Sequence, residues 1–142
     1  MKKRRPPIGI DNFEKLVKDG FYYVDKTGMI RELLENWGEV NLFTRPRRFG
    51  KSLNMSMLQH FFEIGADSSL FNGLTISGET ALCAEWQGKY PVISLTLKDC
   101  WGLDYQDALE QFAGVVSREV DRHAYLMIAG NWTKRINKRF WT

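Results

Sequence analysis

The sequence predicts an α/β fold in which parallel strands are flanked by helices. Two short apolar segments, Val40–Phe43 and Pro91–Leu97, have the composition of buried strands. Segments with helical periodicity lie before, between and after them, and strands that alternate with helices are typical of a parallel sheet. With 142 residues, 44% of them hydrophobic, the chain is long and apolar enough to bury a core of this kind.

Charge is unevenly distributed along the chain, whose net charge is +3. Residues 1–52 contain 12 Lys or Arg and 7 Asp or Glu, so this part is expected to meet anions. Cys83 and Cys100 lack the number and spacing of a disulfide scaffold or a zinc site. No apolar run approaches the roughly 20 residues that span a bilayer. We therefore expect a cytoplasmic protein without membrane contact, and its oligomeric state stays open.

Two short helices are predicted before the first strand. The first begins at a capping box formed by Asp11 and Glu14 and ends at Gly20. The extended segment Phe21–Val24 follows, and Thr27 then begins the second helix. The apolar positions that would face the core are Phe13, Leu16, Val17, Ile30, Leu33, Leu34 and Trp37.

Three further helices are predicted beyond the first strand. One begins at Gly50 and ends at Gly65, a short one lies near Glu79–Trp86, and a longer one runs from about Tyr105 to about Met127. The apolar residues of the first of these recur at four-residue spacing and comprise Leu53, Met57, Leu58, Phe61 and Phe62. The stripe of the longest is Leu109, Phe112, Val116 and Val120.

The central motif is the loop Arg45–Ser52, with the sequence Arg-Pro-Arg-Arg-Phe-Gly-Lys-Ser. It matches the pattern G-x-x-x-x-G-K-[ST] in the second glycine, the lysine and the serine, and Arg45 replaces the first glycine. A strand before it and a helix after it form the context of a P-loop. Lys51 is expected to reach the β- and γ-phosphates of a nucleotide, and Ser52 is expected to bind Mg²⁺.

The replacement at the first position changes how this loop would hold phosphate. Arg45 cannot adopt a positive φ without strain, and Pro46 lacks a backbone donor. Charged arginine side chains are expected to compensate for the lost backbone contacts. A chance tripeptide at a basic helix start is the alternative interpretation. The predicted nucleotide-binding residues are Arg45, Arg47, Arg48, Phe49, Gly50, Lys51 and Ser52.

Four segments of the chain resemble a bacterial family of AAA-ATPase-like proteins: Pro7–Asp11, Phe21–Thr27, Leu42–Ser52 and Tyr90–Leu95. The resemblance extends to about Tyr125 and implies a P-loop ATPase fold that uses ATP and Mg²⁺. It also implies that an arginine at position 45 is normal for the family. Full-length members often carry a PD-(D/E)XK nuclease-like domain, so nucleic acid is an expected further partner through a C-terminal domain that this chain lacks.

By the same resemblance, the segment Tyr23–Thr27 would lie near the nucleotide, where Asp25 or Lys26 would contact the base or ribose. A helix entry with solvated charges is the alternative. Such ATPases also need a strand that ends in acidic residues, and no matching stretch occurs before Thr142. Asp99 follows a strand in which polar residues alternate, so it is interpreted as a strand-end or turn residue.

We therefore expect an incomplete P-loop NTPase-type domain over residues 7–130. Residues 1–6 are predicted to be a basic, disordered N-terminus, and residues 131–142 a tail of undefined structure. The predicted function is ATP binding with inefficient hydrolysis by this chain alone, so its status as an enzyme stays open. The alternative is a fragment that binds nucleic-acid phosphates or a protein partner. His60 and His123 stand alone in the sequence. His60 is interpreted as a packing or surface residue, and His123 as part of a solvated helix face.

Overall fold

The computed structural model describes residues 4–36, 38–98 and 100–128, which divide between Val92 and Ile93 into two compact units. The predictions for Trp37, Asp99 and residues 131–142 lie outside the described residues. None of the described helices is both long and apolar enough to cross a membrane. The α-helices of the described residues are α1 Phe13–Lys18, α2 Gly28–Glu35, α3 Lys51–Phe62, α4 Thr80–Trp86, α5 Tyr105–Arg122 and α6 Tyr125–Ile128. Two 3₁₀ helices, Ser68–Phe71 and Thr75–Gly78, lie between α3 and α4.

Local hydrogen bonds determine where the first helices begin. The N-cap of α1 is Asn12 rather than Asp11, and its side chain accepts a 2.8 Å hydrogen bond from the backbone N–H of Lys15. Thr27 occupies the predicted N-cap position of α2, but its hydroxyl makes no capping bond. Instead, Thr27 is fully buried, and its hydroxyl donates a hydrogen bond to Asp25 and accepts one from the distant N–H of Ile76.

The core of the first unit is built from α1, α2, α3 and the two 3₁₀ helices. The ring of Phe61 lies edge-on to the ring of Phe71, with a centroid distance of 5.4 Å, and Phe13 lies 5.1 Å from Phe71. Burying a side chain of this size stabilises a fold by about 1.5–3 kcal/mol. The periodicity predicted for α3 is confirmed at its three buried positions. The buried cluster consists of Phe13, Ile30, Met57, Leu58, Phe61, Leu70, Phe71 and Ile76.

The predicted parallel sheet is wrong, because the described residues are helical and contain no β-strand. A single isolated parallel bridge joins Glu63 to Tyr90 within them. Val40–Phe43 and Pro91–Leu97 have no β-ladder partner among the described residues, and Val40 and Leu42 are 88% and 84% exposed. An apolar run forms a strand only where a neighbouring backbone completes its hydrogen bonds, and composition alone does not reveal that neighbour.

The second unit contains α5 and α6. Asp104 caps α5 by accepting a 2.9 Å hydrogen bond from the N–H of Asp107. The predicted helix begins at Tyr105 as expected but ends at Arg122, and α6 resumes two residues later. The predicted stripe on α5 is wrong as a core face, because all four of its residues are exposed and the buried residue is Val115.

Two methionines on α3 test the core directly. Met57 is fully buried in the cluster, whereas Met55 is 55% exposed on the same helix. Met57→Ala should lower the free energy of unfolding by about 2–5 kcal/mol, because it removes packed atoms and leaves a cavity. Met55→Ala, the matched control, should change it by about 0.5 kcal/mol or less. Urea denaturation measures both values, and equal losses would contradict this assignment of the core.

Candidate phosphate-binding loop

The loop that precedes α3 carries the predicted phosphate-binding motif. Gly50 is the N-cap of α3 and adopts a left-handed conformation, with φ 75° and ψ 19°. A glycine reaches this conformation without the steric cost that a Cβ imposes. Helix α3 begins at Lys51, so the N–H groups of its first turn have no intrahelical acceptor. The backbone therefore turns directly from the loop into a helix N-terminus that faces solvent.

Backbone strain in this loop lies at Arg48. With a φ of 67°, Arg48 is the non-glycine residue with a positive φ among those described. Arg45, which replaces the first glycine of the motif, does not adopt a positive φ. A left-handed conformation costs an ordinary residue about 1–2 kcal/mol. Such cost at an exposed loop points to a functional constraint.

Lys51 folds back over the loop from the first position of α3. Its ammonium group donates hydrogen bonds to the carbonyl oxygens of Arg45 and Pro46, the second at 2.9 Å. Arg45 donates from its guanidinium to the carbonyl oxygen of Thr44 at 3.0 Å. Lys51 thus bonds to neutral acceptors that a phosphate oxygen could replace.

The positive charges of the loop have no acidic partner among the residues that the structure describes. Arg45, Arg47, Arg48 and Lys51 are all exposed, and none forms an ion pair within the described part of the chain. Elsewhere in this unit, in contrast, Arg31 pairs with Glu79 at 3.0 Å. All seven predicted binding residues lie within the eight positions 45–52, and all seven are exposed to solvent. They therefore form a concentrated anion-attracting surface.

Asp25, expected near a nucleotide, has a different position. Its Oδ1 accepts hydrogen bonds from the N–H and hydroxyl of Thr27 at 2.8 and 2.6 Å. Its Oδ2 accepts from the N–H and hydroxyl of Thr75 at 2.6 and 2.7 Å. Burial alone would raise the pKa of Asp25, but these four bonds outweigh it and lower the pKa to about 2. Asp25 therefore joins two segments of the fold rather than presenting a free carboxylate.

The structure brings together Ser56, His60 and Glu14, which the sequence did not connect. The hydroxyl of Ser56 lies 3.5 Å from Nδ1 of His60, and Nε2 of His60 lies 3.7 Å from Glu14. This arrangement is not a catalytic triad. Nδ1 is only 2.7 Å from the carbonyl oxygen of Ser56, and the hydroxyl accepts from the N–H of Phe13. The group joins α1 to α3, and the only sequence signal was the Ser56–His60 spacing of four residues.

The prediction of a solvated helix face at His123, in the second unit, is wrong, because its side chain is only 10% exposed. Its Nδ1 is 3.0 Å from the carbonyl oxygen of Glu119, while its buried Nε2 has no partner among the described residues. The carboxylate of Glu119 accepts a hydrogen bond from the N–H of Ser94 at 2.7 Å and pairs with Arg122. The hydrogen bond from Arg122 holds the pKa of Glu119 below its usual value. The described residues contain no group of three His, Cys, Asp or Glu that could hold a metal ion.

Comparison with known proteins places the chain in a family. A family model described as a predicted AAA-ATPase matches residues 7–139, so the chain belongs to this AAA-ATPase-like family and shares its general ATPase-like character. The chain is also similar to an uncharacterized protein of the vnfD 5' region in Azotobacter chroococcum mcd 1. Identity is 37% over 97 residues, which cover 68% of this chain and 17% of that protein. No solved structure matches the chain.

The Asp25 carboxylate should stabilise the fold in a pH-dependent way. Its pKa is lower in the folded protein than the ordinary 3.8, so its contribution is complete above pH 3.8 and is lost as the pH falls towards about 2. Because the residue is partly exposed, this contribution should be about 1 kcal/mol. Asp25→Asn should therefore lower the free energy of unfolding at neutral pH by about 1–2 kcal/mol.

Denaturant titrations at neutral and acidic pH measure this effect. The stability difference between wild type and Asp25→Asn should shrink as the pH falls below 3.8. Asp67→Asn is the control, because Asp67 lies on the surface, accepts hydrogen bonds from nearby Ser69 and has, among the described residues, only a long 3.8 Å ion pair with Lys18 as a tertiary contact of its carboxylate. A loss in Asp67→Asn as large as in Asp25→Asn would contradict a tertiary role for Asp25.

Strain at Arg48 can be measured with two glycine substitutions. Arg48→Gly and Arg47→Gly each remove one exposed cation, but only position 48 has a positive φ. At position 48, glycine relieves the strain of the positive φ. At both positions it increases the conformational entropy that the chain loses on folding, and at position 47 nothing offsets that cost. Arg48→Gly should therefore be more stable than Arg47→Gly by about 1 kcal/mol in thermal or urea denaturation. The opposite order would show that Arg48 is not strained.

Proposed function

We propose that this chain binds the phosphates of ATP at the loop Arg45–Ser52. The observation that carries the proposal is the position of Lys51 at the start of α3, directly after the left-handed Gly50. Around it lie three exposed arginines without acidic partners among the described residues. Membership in an ATPase-like family supports ATP as the nucleotide. The predicted α/β sheet is not needed for this proposal, because the binding groups belong to the loop and one helix.

Phosphate binding would use both backbone and side-chain donors. The N–H groups in the first turn of α3 and the positive end of the helix dipole favour an anion at this point. Lys51 would exchange its bonds to the carbonyl oxygens of Arg45 and Pro46 for a bond to a phosphate oxygen. Arginine side chains add bidentate, charge-assisted hydrogen bonds. The loop thus compensates for its missing first glycine with charge.

Magnesium would be held mainly by the nucleotide. The exposed hydroxyl of Ser52 is the protein ligand that the loop offers, which fits a cation that keeps several waters and binds phosphate oxygens. The ion would neutralise phosphate charge.

No carboxylate forms an ion pair with Lys51 among the described residues, and no cluster of metal-binding side chains accompanies it there. We therefore propose that nucleotide binding, rather than rapid hydrolysis, is the activity of this chain.

Calorimetric titration with Mg-ATP tests the proposed binding. Wild type should bind saturably, and Lys51→Ala should bind about tenfold to a hundredfold more weakly, because a charged hydrogen bond contributes about 1.5–3 kcal/mol. Lys15→Ala is the matched control, since Lys15 is an exposed lysine on α1 away from the loop. Its affinity should equal that of wild type.

Two results would overturn the proposal. Equal affinities of Lys51→Ala and wild type would exclude the loop as the phosphate site. Multiple turnover of ATP by wild type that disappears in Lys51→Ala would contradict the proposed restriction to binding. Circular dichroism of each variant establishes that the helices are retained.

A further inference from the structure

The segment Val40–Lys51 forms a basic–aromatic arm in which all twelve residues are exposed. It contains four cations and no acidic residue. Its backbone is neither helix nor strand over residues 40–50. An irregular segment that is exposed over its whole length leaves its side chains open to a polymeric ligand. The arm therefore has the form and charge of a binding surface for an extended polyanion.

The cations of the arm differ from Lys18 and Arg31 of the first unit, which have acidic partners. Lys18 bonds to Glu14 at 2.6 Å, and Arg31 bonds to Glu79 at 3.0 Å, so their charge is locally compensated. The four cations of the arm have no such partner among the described residues. Four like charges within seven residues repel one another, and an anionic partner relieves that repulsion.

Two phenylalanines accompany these charges. Phe49 is 65% exposed between Arg48 and Gly50, and Phe43 is 44% exposed two residues before Arg45. An acidic peptide would form ion pairs with these cations, but it would not need exposed aromatic rings beside them. Nucleic-acid bases do, because each base presents a π-face that stacks on an aromatic ring.

From charge and ring exposure together, we propose that the basic–aromatic arm binds single-stranded nucleic acid. Phosphates would lie against Arg45, Arg47 and Arg48, and bases would stack on Phe43 and Phe49. A single strand fits better than a duplex, because only unpaired bases offer their faces for stacking. This inference goes beyond nucleotide binding and adds Phe43, which lies outside the loop Arg45–Ser52.

Fluorescence anisotropy with labelled oligothymidylate and oligouridylate of about twelve nucleotides tests the proposal on the whole chain. Phe43→Ala and Phe49→Ala should each weaken binding about tenfold, because stacking on one ring is lost. Tyr22→Ala is the matched control, since Tyr22 is a 56% exposed aromatic residue outside the arm. Its affinity should equal that of wild type.

Salt dependence tests the contribution of the cations. Three neutralised phosphates on a single strand predict a slope of log affinity against log salt of about −2. Arg47→Gln should reduce the magnitude of that slope by about 0.7, whereas Lys15→Gln, outside the arm, should leave it unchanged. A slope near zero would show that phosphates do not bind here.

Three outcomes would overturn the proposal: losses in the two phenylalanine variants no greater than in Tyr22→Ala, equal affinity for duplex, or binding to phosphatidylserine vesicles without binding to either strand. The last result would assign the arm to an anionic lipid surface. Titration of Phe43→Ala with Mg-ATP separates the two proposals, because ATP affinity should be unchanged in this variant. Retained ATP binding without strand binding would refute only the inference about the arm.

Discussion

The Asp25 carboxylate joins chain segments that are 50 residues apart, and the first unit depends on this connection. Both of its oxygens are used, one by Thr27 and one by Thr75. The buried hydroxyl of Thr27 then accepts a hydrogen bond from the N–H of Ile76 at 3.1 Å. The loss of one of these hydrogen bonds would leave a buried polar group unpaired, which costs about 1–3 kcal/mol. The connection closes a long loop of chain that contains α2, the basic–aromatic arm and α3.

Helix α3 lies between Asp25 and Thr75, and its two ends have different environments. Its C-terminal half supplies Met57 and Phe61 to the core, where they are fully buried. Its N-terminal end presents Lys51 and Ser52 to solvent. A helix is rigid along its axis, so the packing of its C-terminal half also positions its N-terminal end, where the proposed phosphate-binding groups lie. The buried core therefore supports a candidate site whose own residues are exposed to solvent.

Charge determines what the exposed end of α3 can bind. The arginines and Lys51 gain nothing from neighbouring carboxylates in the described fold, so their electrostatic energy falls when an anion arrives. A nucleotide phosphate and a polynucleotide phosphate are the same chemical group to these side chains. Phe43 would distinguish the two proposed ligands, because it lies outside the loop Arg45–Ser52 but within the basic–aromatic arm.

The sequence by itself determined features that depend on neighbours in the chain. The periodicity of α3, the short helix ending at Trp86 and the start of α5 at Tyr105 were predicted correctly, because caps and apolar spacing act over a few residues. The composition of the loop Arg45–Ser52 predicted an anion site for the same reason, and that prediction awaits measurement. Tertiary structure alone decided the rest. Whether Val40–Phe43 becomes a strand depends on a backbone partner, and the role of Asp25 depends on Thr75, which lies far away in sequence.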